Sequence, residues 1–561
     1  MGIYFDSKTA YTLYKRETKK PYFIDKSALI GELLPLVEEG GSYLCITRPR
    51  RFGKTMAANM IASFFSRACD ASDIFDSLCI AREQTPSMLL HRNRYPVIHI
   101  PFNDMMYPCA SYADYIWQIE EQLLLDLKAA YPQAGLEGVS SAAAALLKIY
   151  AADDSAQFLF VLDEWDFIFH QPFISEADKR AYLMYLRNLL KDRPYVLLAY
   201  MTGILPIAKY SSGSELNMFQ EYTMASEERF SAYFGFTEEE VDLLFARYLS
   251  RNVIPAASAH INIIQGSKFQ GQANAVTREG LKGWYDGYHT KGGMRLYNPR
   301  SVVMALQNNN LGNYWTGSGP YDEIFHYIGQ NVDAVRDDLA LMVSGVPVPA
   351  KIREYAATSQ NLSTKEEIFS AMVVYGFLNY ENGKVSIPNQ ELMDKFVEML
   401  QKEPSLGYVH RLAKESQRML KATLAGDTNT MEEILTFVHN TEIPLLSYNH
   451  ETELTAVVNL AYLAARDFYR IEREDKAGTG YVDFIFYPLA NRNADCLILE
   501  LKVDHSPDEA IQQIKEKHYA LRFQGKLGEE RYYTGRILGI GIGYQKKGKR
   551  HRCKVEVLQL M

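Results

Sequence analysis

A short apolar run that passes at once into a glycine-lysine-threonine triplet and then into a helical pattern narrows the fold of this chain more than any other feature. Tyr43-Leu-Cys-Ile-Thr47 reads as a buried strand and Arg48-Pro-Arg-Arg-Phe-Gly53-Lys54-Thr55 as a loop. Met56, Met60, Ile61 and Phe64 then mark the apolar face of a helix. That order is the order of a phosphate-binding loop. Backbone N–H groups at the helix start suit a polyphosphate, Lys54 can reach its β- and γ-phosphates, and the Thr55 hydroxyl can ligate Mg²⁺. Arg51 and Gly53 belong to the same nucleotide-binding set. The pattern G-x-x-x-x-G-K-[ST] is incomplete, because Arg48 stands where its first glycine belongs. By spacing alone the segment also reads as an ordinary helix start, at which Gly53 loosens a turn and Thr55 caps.

A second segment supplies what the loop needs. Phe158-Leu-Phe-Val-Leu162 is continuously apolar, as a parallel strand buried on both faces must be, and it ends in Asp163-Glu164. Carboxylates at that edge of a parallel sheet sit where such sheets bind ligands. Asp163 would hold Mg²⁺ and Glu164 would polarise the attacking water; the bland alternative is two solvated residues opening a loop. A third run, Tyr195-Val-Leu-Leu-Ala-Tyr-Met201, ends in Thr202-Gly203, where Thr202 could sense a γ-phosphate from the neighbouring strand. Arg193, Arg229 and Arg295 are all imaginable arginine fingers, and none stands out.

With 561 residues, 47% of them hydrophobic and 23% charged, the chain can bury sizeable cores. The length suggests roughly three or four domains. Its six cysteines are scattered without C-x-x-C spacing, which argues against a zinc site or a disulfide framework and for a reducing cytoplasm. Residues 1–6 lack a secretory or myristoylation pattern, and no apolar run is long enough to span a bilayer, so no membrane role is expected. At a net charge of −8, any nucleic-acid contact must come from local basic patches.

A second chemical constellation lies in the last 120 or so residues. Glu453 begins an amphipathic helix with Leu454, Val457, Val458, Ala461 and Ala465 on one face. Gly480-Tyr-Val-Asp483-Phe-Ile-Phe486 and Leu497-Ile-Leu-Glu500-Leu-Lys502 then read as strands. Side chains alternate across a strand, so Glu500 and Lys502 share a face while Leu501 packs into the core. Asp483 and Glu500 could then hold Mg²⁺, and Lys502 could orient or deprotonate water and stabilise the charge developing on a phosphodiester. Glu-Leu-Lys alone is a weak signal that reads more readily as an exposed strand; the order of elements, ending in a helix with Gln513, is what distinguishes it. Near the end, residues 544–554 gather six Lys and Arg in a hairpin. These either attract a phosphate backbone or serve as solvated edge charges that discourage strand pairing.

Ile46-Thr-Arg-Pro-Arg-Arg-Phe-Gly-Lys-Thr55, Leu162-Asp-Glu-Trp-Asp166 and Thr202-Gly203 together resemble the bacterial AAA-ATPase-like family whose members carry a PD-(D/E)XK nuclease-like C-terminal domain. Tyr22-Phe-Ile-Asp-Lys26, Phe234-Gly-Phe-Thr-Glu238, Trp284-Tyr-Asp-Gly-Tyr288 and Tyr297-Asn-Pro299 support the resemblance. In that family the arginine-rich loop is the usual form. Glu453, Asp483, Glu500, Lys502 and Gln513 fall on the positions of the nuclease motif; the departure is Tyr481, where members often have Arg two residues before the Asp.

The implied fold is α/β and multidomain. A P-loop NTPase parallel sheet occupies 1–235, a helical lid 236–310, a helical or winged-helix-like region 311–435, and a PD-(D/E)XK restriction-endonuclease-like α/β domain 436–561. A Thr237–Glu240 capping box opens the lid. An Asn382-Gly383 hairpin between residues 377 and 387 is either part of a winged helix or one hairpin in a plain helical connector. The implied cofactors are ATP and Mg²⁺, with Mn²⁺ as an alternative at the nuclease site. The implied partner is nucleic acid, DNA before RNA, with a homo-oligomer or protein partner also open. Function divides three ways: an ATPase governing a Mg²⁺-dependent DNA nuclease, an NTP-controlled switch or scaffold that binds nucleic acid without cutting, or an ATPase acting on a protein partner.

Overall fold

The computed structural model describes residues 2–82, 86–105, 107–207, 215–225, 227–252, 276–315, 321–352, 362–440, 451–477, 480–489, 491–523, 533–548 and 550–559. Its first sheet comprises β1 (Ser42–Thr47), β2 (Val97–Pro101), β3 (Phe158–Asp163), β4 (Val196–Gly203) and β5 (Gln220–Tyr222) in the spatial order β2-β3-β4-β1-β5. All pairings are parallel. The continuous apolar run of β3 has its reason in two cores. Phe158, Phe160 and Leu162 face one of them, Leu159 and Val161 the other. The helix Lys54–Phe65 covers the second face and the helices Tyr112–Ala130 and Glu176–Leu190 the first. Strand β2 lies at one edge, where Phe5 pairs with Ile98 and Asp6 accepts from the Val97 amide at 3.0 Å.

Three helices, Glu238–Asn252, Arg278–Tyr285 and Pro299–Asn308, form a smaller core with the short strands β6 (Tyr288–His289) and β7 (Arg295–Leu296) beside it. The expected capping box is made: the Glu240 amide donates to the Thr237 hydroxyl and the Thr237 amide to the Glu240 carboxylate. Tyr22 and Ile24 join this core, so the segment preceding the first sheet packs against these helices. Residues 311–315 are pinned firmly. The amides of Tyr314 and Trp315 each donate to buried Glu391 at 2.6 Å.

Helices Val332–Val343, Lys365–Val374, Gln390–Lys402, Tyr408–Ala425 and Thr428–Asn440 dominate the middle of the chain. The Asn-Gly hairpin forms between β9 (Asn379–Glu381) and β10 (Lys384–Ser386), and β8 (Val348–Pro349) adds a third strand. Asn382 and Gly383 have φ of 50° and 77°, as a tight hairpin with two left-handed residues demands.

The C-terminal sheet runs in chain order: β11 (Tyr469–Ala477), β12 (Gly480–Pro488), β13 (Cys496–Val503), β14 (Ile537–Gln545) and β15 (Arg550–Leu558). Only the β13–β14 pair is parallel, bridged by the helix Pro507–Glu516. Gly539-Ile-Gly541-Ile-Gly543 in β14 alternates by design of the pleat. Ile540 and Ile542 enter the core, whereas a Cβ on Gly541 would stand 2.3 Å from the Pro507 carbonyl oxygen. The missing side chains let that helix lie close enough to carry Gln513 over β13.

Candidate active sites

Gly53 caps the helix Lys54–Phe65 in the left-handed conformation, φ 91°, which a side chain would strain. Lys54 is buried, and its Nζ donates to the carbonyls of Arg48 at 2.8 Å and Pro49 at 2.9 Å. Burial brings its pKa down to about 8 against the opposing charges of Asp166, Glu164 and Asp163. Arg48, in the place of the missing glycine, turns away from the cavity. Its Nη1 donates to the carbonyls of Thr47 and Tyr222, both at 2.8 Å, and its guanidinium lies 5.4 Å from the Phe234 ring centroid. It anchors the loop to β5 and to the segment entering the lid.

Asp163 is fully buried at the end of β3 and accepts from the Thr202 hydroxyl, while its Oδ2 has no hydrogen-bond partner. Thr202 therefore braces Asp163 beneath the cavity. Glu164 follows with φ 53°, and its carboxyl is raised by burial and by Asp163. Asp166 accepts from the amides of Ile204 at 2.9 Å and Leu205 at 2.7 Å, shaping the turn that leaves β4.

A cavity of about 760 Å³ opens over these residues. Its lining includes the polar groups of Arg50, Arg51, Lys54, Thr55 and Glu164 and the apolar side chains of Tyr22, Ile24, Met60, Phe236 and Val303. Arg300 reaches the wall from the lid. Sequence reasoning missed Arg300 and Asp166. A helix start at Asn298-Pro299 is legible, but the wall its second residue faces exists only once the lid has folded. The three imagined fingers are otherwise engaged: Arg295 pairs with buried Asp286 at 2.5 Å, Arg229 covers the Phe230 ring, and Arg193 donates to the Asn188 carbonyl.

In the C-terminal domain Asp483, Glu500, Lys502 and Gln513 come together. Phe484 pairs with Leu499, so the antiparallel register sets Asp483 across from Glu500. Asp483 Oδ2 accepts from the Leu501 amide at 2.7 Å. Glu500 Oε1 accepts from Gln513 Nε2 and lies 3.4 Å from Lys502 Nζ; its Oε2 is buried without a partner. Leu501 enters the opposite core, as strand alternation requires. Glu453 lies on the helix Glu451–Ala461, whose Leu454, Val457 and Val458 are buried; the side chains of Glu453 and Tyr481 lie outside the described ones.

The Glu500 carboxyl is pushed up to about 8, first by burial and then by Asp483, with Lys502 opposing. Folding thus favours its protonated form, and its contribution to stability is full below the ordinary value of 4.5 and is lost as pH rises through about 8. Thermal melts in a chelator are expected to show stability falling across that window, and Glu500→Gln is expected to flatten the fall. An identical pH slope in the variant would remove Glu500 as its source.

The parallel sheet with its glycine-lysine loop and acidic β3 edge has the form of a P-loop NTPase fold, and the mixed C-terminal sheet with Asp, Glu-x-Lys and Gln that of a PD-(D/E)XK fold. Residues 13–212 match the family model described as "Predicted AAA-ATPase", and residues 451–547 that of the PD-(D/E)XK nuclease superfamily. The chain combines an AAA-ATPase-like module with a C-terminal module of that nuclease superfamily. It is 25% identical over 312 residues to an uncharacterized protein in the vnfD 5' region of Azotobacter chroococcum mcd 1, and the match covers 54% of this chain. The chain spans about half (52%) of that relative's length. Among solved structures, the Walker-type ATPase PABY2304 of Pyrococcus abyssi aligns with a TM-score of 0.35 and 10% identity, over 66% of this chain and 94% of that one. The Aeropyrum pernix ORC2 protein aligns at 0.21 and 12% identity, over 69% and 93%. Among the described residues no helix is long and apolar enough to cross a membrane.

Proposed function

We propose that this chain binds and hydrolyses ATP in its N-terminal module and that this activity governs Mg²⁺-dependent cleavage of DNA by its C-terminal module. The observation that carries the reading is that each site sets a buried carboxylate oxygen without a hydrogen-bond partner, Asp163 Oδ2 and Glu500 Oε2, within the field of a lysine. An unsatisfied buried acceptor costs about 1–3 kcal/mol, which a cationic ligand offsets. The donor sets therefore fit a divalent cation: Thr55 and Asp163 would hold it at the nucleotide, and Asp483 and Glu500 at the nuclease centre. When bound, such an ion supplies Lewis-acid charge to phosphoryl oxygens.

The chain's own side chains do the rest. Lys54 exchanges its two carbonyl partners for the β- and γ-phosphates, and Arg51 and Arg300 add positive charge at the cavity wall. Glu164 orients the attacking water, and Thr202 holds Asp163 in place. In the second site Lys502 orients or deprotonates water and stabilises developing phosphate charge, Gln513 fixes one oxygen of Glu500, and Glu453 adds an acidic group from its helix. Calorimetry with ATP and Mg²⁺, together with cleavage assays on linear, circular and single-stranded DNA with Mg²⁺ or Mn²⁺, tests both halves; absence of ATP binding and of cleavage would refute them separately.

A second reading, a nucleotide-controlled switch that binds nucleic acid without cutting it, is favoured by the way Asp483 is already engaged by the Leu501 amide. Among the described residues the His, Cys, Asp and Glu side chains form no metal-ligating group of three or more, so each proposed centre rests on a pair of protein donors. The basic hairpin bears on binding. Lys546, Arg552 and Lys554 pair within the chain with Asp504, Glu432 and Asp508, which moves them toward the solvated-edge alternative; Lys549 lies outside the described residues. Lys547 and Arg550 are the better phosphate contacts. Replacing both with Ala is expected to reduce the slope of log affinity against log salt by roughly two. An unchanged slope would assign the hairpin to edge protection.

A further inference from the structure

The turn Tyr375-Gly376, which ends the helix Lys365–Val374, touches both halves of the nucleotide site. On one side Gly376, at φ +82°, lies so close to Pro49 that a Cβ would stand 2.6 Å from the proline's own Cβ. On the other side the Tyr375 ring meets His170 edge-on, with centroids 6.0 Å apart. His170 closes the turn Phe167–His170 that follows Asp163-Glu164 and lines the cavity. The Pro49 carbonyl accepts from Lys54 Nζ at 2.9 Å. A phosphate that takes up the Lys54 ammonium removes that bond from the residue on which Gly376 rests.

Beyond the turn the contacts run unbroken to the nuclease-like domain. Lys365 Nζ pairs with Asp338 at 2.9 Å, joining the helix Lys365–Val374 to the helix Val332–Val343. At the end of the latter, the Ser344 carbonyl accepts from Asn459 Nδ2 and the Val343 carbonyl from Arg466 Nη2 at 3.3 Å. Asn459 belongs to the helix Glu451–Ala461, which carries Glu453 and shares a core with Leu499 and Leu501, the neighbours of Glu500 on β13.

We infer that the Tyr375-Gly376 turn is the seat through which nucleotide occupancy is transmitted from the N-terminal site to the C-terminal domain. The inference rests on the reading that ATP occupies the first cavity. Coupling of this kind requires an element whose arrangement both sites bias, and this turn is in contact with Pro49 and His170 at once and packs through the middle helices onto Glu451–Ala461.

Hydrogen exchange on the full chain, with and without a non-hydrolysable ATP analogue and Mg²⁺, tests it. In the wild type the analogue is expected to change exchange in residues 48–56, 365–378 and 451–461. Tyr375→Ala should keep the response of 48–56 and lose the response of 451–461. Asn459→Ala, at the far end, should keep the first two and lose only the third, which provides a second variant if the first fails to fold. A wild-type response confined to 48–56, or one that reaches 451–461 undiminished in Tyr375→Ala, overturns the inference. No response at 48–56 refutes the ATP reading itself, and the inference with it.

Discussion

Glu500→Gln, Asp483→Asn and Lys502→Ala are each expected to lower DNA cleavage by about 10²–10³-fold, since one preorganised electrostatic group is typically worth roughly 2.7–4 kcal/mol of barrier. ATP hydrolysis should be unaffected, because these side chains stand on β12 and β13, in a different sheet from the one that leads into the loop at Lys54. The three variants should fail for different reasons. Asp483→Asn and Glu500→Gln remove charge from the proposed metal donors, whereas Lys502→Ala removes the cation beside the reacting phosphate. Metal titrations separate them: raising Mg²⁺ is expected to restore part of the carboxylate variants' activity and none of the lysine variant's. Cleavage that survives both carboxylate changes would place the catalytic centre elsewhere.

In the N-terminal module the expected effects split by residue. Lys54→Ala should abolish tight ATP binding, because the lysine is a buried cation in the cavity lining beside Gly53 and Thr55. Glu164→Gln should keep binding and lose hydrolysis, since only the orientation of water is removed. Calorimetry and single-turnover hydrolysis distinguish the two. Equal loss of binding in both variants would mean that Glu164 holds nucleotide and does not act on water.

What the sequence made legible follows from period and burial. Phe158–Leu162 could be read as a central strand because residues buried on both faces leave no polar alternation to hide the run. Glu500 and Lys502 could be placed on one face because the period of a strand is two. The capping box at Thr237 and the hairpin at Asn382-Gly383 announced themselves through local chemistry that owes little to tertiary context. Other features had no local signal. Strand β11, Tyr-Arg-Ile-Glu-Arg-Glu-Asp-Lys-Ala, is a charged edge strand and shows no apolar run. Strand β5 is three residues long. Arg48 stands in the loop by sequence, yet its side chain is buried against β5, a destination set by a strand more than 170 residues away in sequence. Arg300 and the Pro49–Gly376 contact depend on packing between regions that no window of sequence can join.

The most direct test of the account is DNA cleavage by the full chain in Mg²⁺ with and without ATP, run in parallel on the wild type and on Lys54→Ala. The account predicts metal-dependent cleavage by the wild type whose rate changes with ATP, and a Lys54→Ala protein on which ATP has no effect. A wild type inert on linear, circular and single-stranded DNA with either Mg²⁺ or Mn²⁺, or one that cleaves identically with and without ATP, would contradict it.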